Sequence, residues 1–369
     1  MSTTREFVEV PQVDIAERID DLDRDARRRR AAAWIASLLA LLVGTIILAV
    51  GLGPVAISPG TVAKIIGHHA VGVPGDVTWS TAEDNIVWLI RLPRVLLGGM
   101  VGAGLAATGV AIQALVRNVL ADPFLLGTSS GASTGAAASI LFGLGAAFGP
   151  SAVSVSAFAG ALAATMIVFA TARIGGRVTS IRLVLAGIAV AYALSALTGF
   201  LIFAADNSEG IRAVVFFLLG SLSRASWSGV VIPAVAVAVT LAVLVLWSRR
   251  LDALAIGDDT ALTLGVNPAR FRVHVFVLTA ACIGAVVAVS GTIGFVGLVV
   301  PHLARRLVGG EHRRVLLVSA LIGAIFLVWA DVFARMAFEP AELPIGIVTA
   351  LVGTPFLLML VRRFHATAH

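Results

Sequence analysis

The chain has 369 residues, of which 59% are hydrophobic and 13% charged, and its mean hydropathy is +0.99. A soluble domain of this length cannot bury so much apolar surface, so most of the chain is dissolved in lipid. The formal net charge is +6 and the pI is near 11.0. The basic residues nevertheless sit between apolar runs and form no stripe, which excludes a nucleic-acid surface and marks a membrane-topology signal. The only cysteine, Cys282, permits no intrachain disulfide and no cysteine-based metal site. The only lysine, Lys64 in "TVAKII", lacks the preceding Gly and following Ser or Thr of a phosphate loop, so ATP-driven work falls to a partner.

In chain order, residues 1–32 read as a charged cytoplasmic tail; the first 30 carry seven Arg and eight acidic residues. "RRRR" at 27–30 precedes the apolar run 33–53, and no small-x-small cleavage site follows it. With about 20 residues against a ~30 Å hydrocarbon core, this run is an uncleaved first span rather than a signal peptide. Further runs of spanning length fall near 95–115, 124–143, 152–172, 183–204, 229–248, 273–292, 315–333 and 344–361. A shorter apolar stretch, "FVGLVVPHLARRLV" at 295–308, completes ten crossings if it is counted. Counting it places 21 of the 27 Lys and Arg on the side of the N-terminus and 6 on the other. That asymmetry is the positive-inside pattern, with both termini cytoplasmic. A transmembrane domain over 33–363 and a short tail, 364–369, follow.

Against this bias, Arg91 and Arg94 stand outside, bracketing Pro93 at the expected start of the second span. Either they have a task there or they contact lipid phosphate. Pro93 fits the first turn of a helix in both cases. The inner turn "RNVLADP" at 117–123 offers Asn118 and Asp122 as helix caps and Pro123 as a helix start. The inner segment 249–272 carries Leu251, Leu254 and Ala255, then Ala261, Leu262 and Leu264, at helical spacing, with Gly257 and Gly265 as stops. Asp258 and Asp259 suit the N-cap of its second piece. Two short helices outside the bilayer must cover either the protein's own underside or a cytosolic partner. On the outer side, 211–222 is apolar but too short to span, as expected of a half-helix dipping into a protein-lined cavity.

Asp331 is the only acidic residue expected within a span, at the outer end of the ninth. An ion- or proton-coupled carrier would have little to work with. No paired carboxylates, zinc-protease motif or nucleophile elbow supports a membrane enzyme. His68 and His69 read as an incidental pair rather than a metal site, and His302 as a residue that packs or caps near its span.

Several blocks then carry a resemblance. "RLPRVLLGG…GVAIQALVRNVLADPFLLGTSSGA", "RLVLAGIAV", "LGSLSRASW", "AIGDDTALTLGV", "GTIGFVGLVVPHLARRL" and "AELPIGIVTALVGTPFLL" occur in one order from about residue 35 onward. Together they resemble the FecCD/BtuC-type permeases of ABC importers, which bring iron–siderophore complexes, haem or cobalamin into bacteria. Val119 departs from the proline usual after "RN".

The resemblance implies an all-α polytopic subunit of type II ABC importer architecture, with about ten transmembrane helices, in the bacterial plasma membrane. It implies a permease dimer (of two copies or of this chain and a related one), two cytosolic ATPase subunits and an extracytoplasmic substrate-binding protein. ATP and magnesium then belong to the ATPase, no cofactor to this chain, and the chain is not itself an enzyme. Arg91, Arg94 and Arg335 match positions that receive carboxylates of the binding protein. Residues 251–266 match the coupling helices in the ATPase groove, with Leu254, Ile256, Gly257, Asp258, Asp259, Leu262, Leu264 and Gly265 as contacts. Asn118, Leu120, Thr179 and Ser180 match the cytoplasmic gate. The hydroxyl-rich "GTSSGAST", with Thr128, Ser129, Ser130 and Ser133, suits a weakly binding pathway, although small residues also serve close helix packing.

Overall fold

In lipid every backbone polar group must be satisfied within its own segment, so apolar runs of this length fold as helices. A computed structural model describes residues 24–122, 127–173, 179–339 and 341–366. The tail before residue 24, Pro123, Arg177 and the last three residues lie outside the described part. The described residues form fourteen helices and no strand.

These helices are α1 (Arg24–Gly51), α2 (Pro59–Val71), α3 (Thr81–Val116), α4 (Thr128–Phe142), α5 (Ala152–Ala172), α6 (Ser180–Phe203) and α7 (Ser208–Leu219). They continue with α8 (Trp227–Leu246), α9 (Ser248–Ile256), α10 (Asp258–Thr263), α11 (Pro268–Ser290), α12 (Val296–Val308), α13 (His312–Met336) and α14 (Ile345–Ala366). All ten expected apolar runs form helices. Seven are long and apolar enough to cross a membrane: α1, α3, α5 with its short leading turn, α6, α8, α11 and α13. The 15 residues of α4 and the 13 of α12 span only about 22 and 20 Å at 1.5 Å per residue. In α14 the apolar part is Ile345–Leu360. The expected half-helix is α7, with 12 residues.

The largest departure is α3. The helix does not begin near residue 95 but at Thr81, and it runs for 36 residues, about 54 Å. Its start is a capping box: Ser80 Oγ accepts from the Glu83 backbone N–H while Glu83 accepts from Ser80 N–H. Pro93 is therefore interior, where its missing N–H and its ring disrupt an α-turn. The helix widens to a π segment at Ile86–Arg91 immediately before it, so Arg91 and Arg94 sit along the rod and not at its tip.

Enclosed by α8, α11, α12 and α13, α3 is the axis of the subunit. Water does not drive helices together in lipid; close backbone approach does, through small residues. Gly102 of α3 meets Gly323 of α13, and Gly131 of α4 meets Gly160 of α5, each pair backbone to backbone.

Candidate functional site

Three arginines converge at one end of the bundle. Arg91 and Arg94 are carried by α3, one helical turn apart, and Arg335 by the last turn of α13. The first span ends here, leaving C-terminal carbonyls without helical partners. Arg91 supplies them: Nη1 donates to the Val50 and Gly51 oxygens at 3.0 and 3.1 Å, and Nη2 to Val55 O at 2.7 Å. Arg335 Nη2 donates to Ala49 O at 2.7 Å. Cations at the negative end of a helix dipole are favoured. Arg91 is only 6% exposed and Arg335 7%. The guanidinium groups of these two, expected to meet a docked partner, are turned inward to cap α1 within the subunit.

Arg94 is placed differently. Nε and Nη2 donate to buried Asp331 of α13 at 2.9–3.1 Å. Nη1 and Nη2 donate to the two carboxylate oxygens of Glu342 at 2.9 and 3.0 Å. Asp331 thus neutralises a cation that could not otherwise enter the bundle. Near the same end, Trp227 Nε1 donates to Trp88 O, and His69 stacks on Trp88 while its Nε2 meets the Asp84 carboxylate at 3.0 Å. His68 Nδ1 donates to Pro74 O. The two histidines are bound up in holding α2 against the start of α3.

The opposite end carries the elbow α9–α10. Its two helices are separated by Gly257 in extended backbone and closed by Gly265 at φ +76°. Leu251, Ala253, Leu254 and Ala261 are buried, whereas Ile256, Leu262 and Leu264 are 71%, 56% and 64% exposed. Leu254, expected to be a partner contact, is fully buried in the subunit's own core. Two positions apart on a helix, Leu254 and Ile256 face opposite ways.

Asp258 is the first residue of α10 and makes no capping bond. Instead it accepts from Arg272 Nη2 and Nη1 at 2.6 and 3.1 Å and lies 3.6 Å from Arg117 Nη2. Hydrogen bonding from Arg272 holds its pKa below the ordinary 3.8, with the charges of Arg272 and Arg117 acting in the same direction against partial burial. Asp252 of α9 accepts from His312 Nδ1–H at 2.6 Å and from its backbone N–H at 3.0 Å. The elbow is thereby pinned to α3, α11 and α13. Asp259 follows Asp258 in the first turn of α10, and Gly265 lies just beyond its end.

The gate candidates share this end. Asn118 Oδ1 accepts from Leu120 N–H at 2.9 Å in a local turn, not in a helix cap. Thr179 precedes α6, and Ser180 Oγ donates to Leu115 O at 3.0 Å, joining α6 to the end of α3. The hydroxyl stripe behaves otherwise. Thr128, Ser129 and Ser133 are buried within the subunit, Thr128 meeting Thr165 of α5 and Ser133 bonding back to Ser129 O. These three, expected to line a pathway, pack between helices of the subunit, and Ser130 alone is half-buried. An open apolar cavity of about 640 Å³ lies elsewhere, between the end of α7, the α11–α12 link and α14, lined by Leu218, Thr292, Phe295, Ile347, Leu351 and Thr354. Asp252, His312 and Glu342 were not singled out by the sequence, because each acts through a partner far away along the chain, and Arg272 because its partner Asp258 lies across the turn between α10 and α11.

The described helices are those of a multi-pass membrane protein, with a short helical elbow at one end. The family model of the FecCD transport family matches residues 41–363. The chain is 38% identical to the cobalamin import system permease protein BtuC of Halobacterium salinarum, over 90% of this chain and 96% of that one. It is 41% identical to the hemin transport system permease protein HmuU of Yersinia pestis, over 77% and 86%. It is also 41% identical to the Fe(3+)-citrate import system permease protein YfmD of Bacillus subtilis, over 76% and 82%. A solved structure described as a metal-chelate type ABC transporter in an inward-facing conformation superposes with TM-score 0.77 at 31% identity, covering 89% of this chain and 98% of that one. The chain belongs to the FecCD transport family and is an ABC transporter permease.

Proposed function

We propose that this chain is the membrane subunit of an importer for a ferric siderophore, or for haem or cobalamin, delivered by an extracytoplasmic binding protein. The arginine end then faces outward and the elbow end, with both termini, faces the cytoplasm of a bacterial cell. The observation that carries the reading is the elbow. Ile256, Leu262 and Leu264 expose apolar side chains on helices too short to enter the bilayer. Such a patch marks a protein interface, and cytosolic ABC ATPase subunits that bind ATP and magnesium are the occupants consistent with the family.

The rod α3 gives the coupling a mechanical route. Arg94 lies toward one end of it, and Arg117 follows its last residue and faces Asp258 of the elbow. Closure of the ATPase pair on ATP pulls the elbow, and the elbow can move only with α3, α11 and α13. Differential affinity of the partners for the outward and inward states then drives the cycle. Asn118, Leu120, Thr179 and Ser180 gather where a cytoplasmic gate would close. The cavity beside α14, with Ser130 as the half-buried member of the hydroxyl stripe, faces a second permease subunit across the conduit. Outside, Arg94 is the arginine in position to take part in docking, with Arg91 and Arg335 holding the frame.

The test is uptake of radio-iron supplied as a ferric siderophore by iron-limited host cells. Uptake should require the chain, stop with vanadate, survive an ionophore, and be lost when Ile256 and Leu264 are both changed to Asp. Uptake that collapses with the ionophore and ignores vanadate overturns the reading. Mass spectrometry of the ligand carried by the binding protein assigns the substrate.

A further inference from the structure

Arg94 is held from two sides by carboxylates of unequal standing. Asp331 is 2% exposed and meets Nε and Nη2 of the guanidinium. Glu342 lies in the short stretch between α13 and α14, its side chain 41% exposed, and takes the outer fork. Asp331 is the buried countercharge of Arg94 and is shared with Arg335. Water solvates Glu342 when it lets go, so this pair is held less firmly than the buried one to Asp331. The outer fork, at a 41% exposed carboxylate, is thus the one a partner can reach.

The surroundings are also short of acceptors. Three cations (Arg91, Arg94 and Arg335) face two carboxylates (Asp331 and Glu342). Arg335 Nε is buried, lies 3.5 Å from Asp331 Oδ2, and has no hydrogen-bond acceptor among the described residues. A buried donor without an acceptor is costly and marks a place where one more acceptor would be welcome. The planar edge of Arg94 fits a carboxylate in the bidentate geometry that Glu342 now uses.

Resting on the docking reading above, we propose that Glu342 is a placeholder. It occupies the fork of Arg94 while no partner is bound, and a carboxylate side chain of the docking protein displaces it. The exchange conserves the two charge-assisted hydrogen bonds, so Arg94 is never left bare. Docking is weakened by whatever the internal pair is worth, which keeps the complex reversible. A surface without a correctly placed acid gains nothing by displacing Glu342, so the device discriminates as well as tempers.

The test measures binding of the extracytoplasmic protein, identified by cross-linking to this chain in host membranes and then purified free, to the assembled transporter in nanodiscs without nucleotide. Glu342→Gln removes the charge and half of the fork at an exposed site and should tighten Kd by about three- to tenfold. Arg94→Lys keeps the charge but loses the fork and should weaken Kd. In the double variant the gain from E342Q should shrink, because the two residues act as a pair. If E342Q leaves Kd unchanged or weaker while R94K weakens it, the placeholder is overturned and the docking reading stands. Full gain from E342Q in the R94K background also overturns the placeholder, since Glu342 would then only repel the partner. No response to R94K removes docking through Arg94, and the placeholder with it.

Discussion

Gly102 of α3 and Gly323 of α13 face each other so closely that a Cβ built on either would overlap the other's carbonyl. The contact lies between the rod that carries Arg94 and the helix that carries Asp331, so it sets the spacing at which those two charges meet. Backbone atoms cannot rotate away as a side chain can, and the two helices must separate to admit a methyl group.

Gly102→Ala should therefore destabilise the subunit by about 1–3 kcal/mol, as over-packing does elsewhere. Gly99→Ala, three residues earlier, meets Val328 and Ala324 only at 3.9–4.0 Å. It should be neutral or stabilising by about 0.5–1 kcal/mol, from the better helix propensity of Ala. Thermal midpoints in one detergent compare the two, and equal midpoints would contradict the packing account.

The elbow predicts two opposite kinds of damage. Ile256→Asp and Leu264→Asp alter exposed side chains and should leave the stability within about 0.5 kcal/mol of the parent while abolishing co-purification of the ATPase. Leu254→Ala alters a fully buried one and should cost about 2–5 kcal/mol. Retention of the ATPase by the Ile256 and Leu264 variants would remove the elbow from that interface.

Much of this architecture was legible in the residues, for physical reasons that also mark where legibility stops. Apolar runs of about 20 residues have one viable conformation in lipid, so each of the ten runs holds a helix, though not always with the expected bounds. Pro93 misled the start of α3, because a first-turn proline and one behind a π segment look alike in sequence. "STAE" at 80–83 was the capping box that marks the true start. The fate of Arg91 and Arg335 depends on carbonyls of α1 some 40 and 286 positions away, which no local pattern encodes. Thr128, Ser129 and Ser133 illustrate a degeneracy: small hydroxylated residues suit a conduit wall and a tight helix crossing equally. The elbow was readable in part, since helical spacing alone puts Leu254 opposite Ile256.

Capping of α1 by Arg91 makes its own prediction. Arg91→Met strands the Val50 and Val55 carbonyls beneath a buried side chain, while Gly51 O keeps the Ile57 N–H, and should cost at least about 2 kcal/mol. Gly53→Ala should mimic it, because the new Cβ would lie 2.6 Å from Arg91 Nη2 at a backbone φ of +154°. Faster proteolysis at residues 52–58 in both variants is the expected readout. Unchanged cleavage would show that α1 holds its end without the arginine.

Asp258 makes the coupling pH-dependent in a definite direction. Its pKa is depressed below 3.8, chiefly by hydrogen bonds from Arg272, so the folded state favours the ionised form more than the unfolded chain does. The stabilisation is full above the ordinary pKa and is lost as pH falls below 3.8 toward the folded value. Because the Asp258 side chain is 40% exposed, solvent screens the pair, and Asp258→Asn should cost only about 1–2 kcal/mol despite the near-complete burial of Arg272. The larger effect should be functional. With its pin to Arg117 and Arg272 weakened, the elbow can move without α3, so binding-protein-stimulated ATP hydrolysis should fall several-fold more than basal hydrolysis. Hydrogen exchange over 248–266 should quicken in the variant at pH 7, and in the parent only as pH drops below about 4. Exchange that is equally slow in parent and variant at every pH would mean that Asp258 does not hold the elbow to the rod.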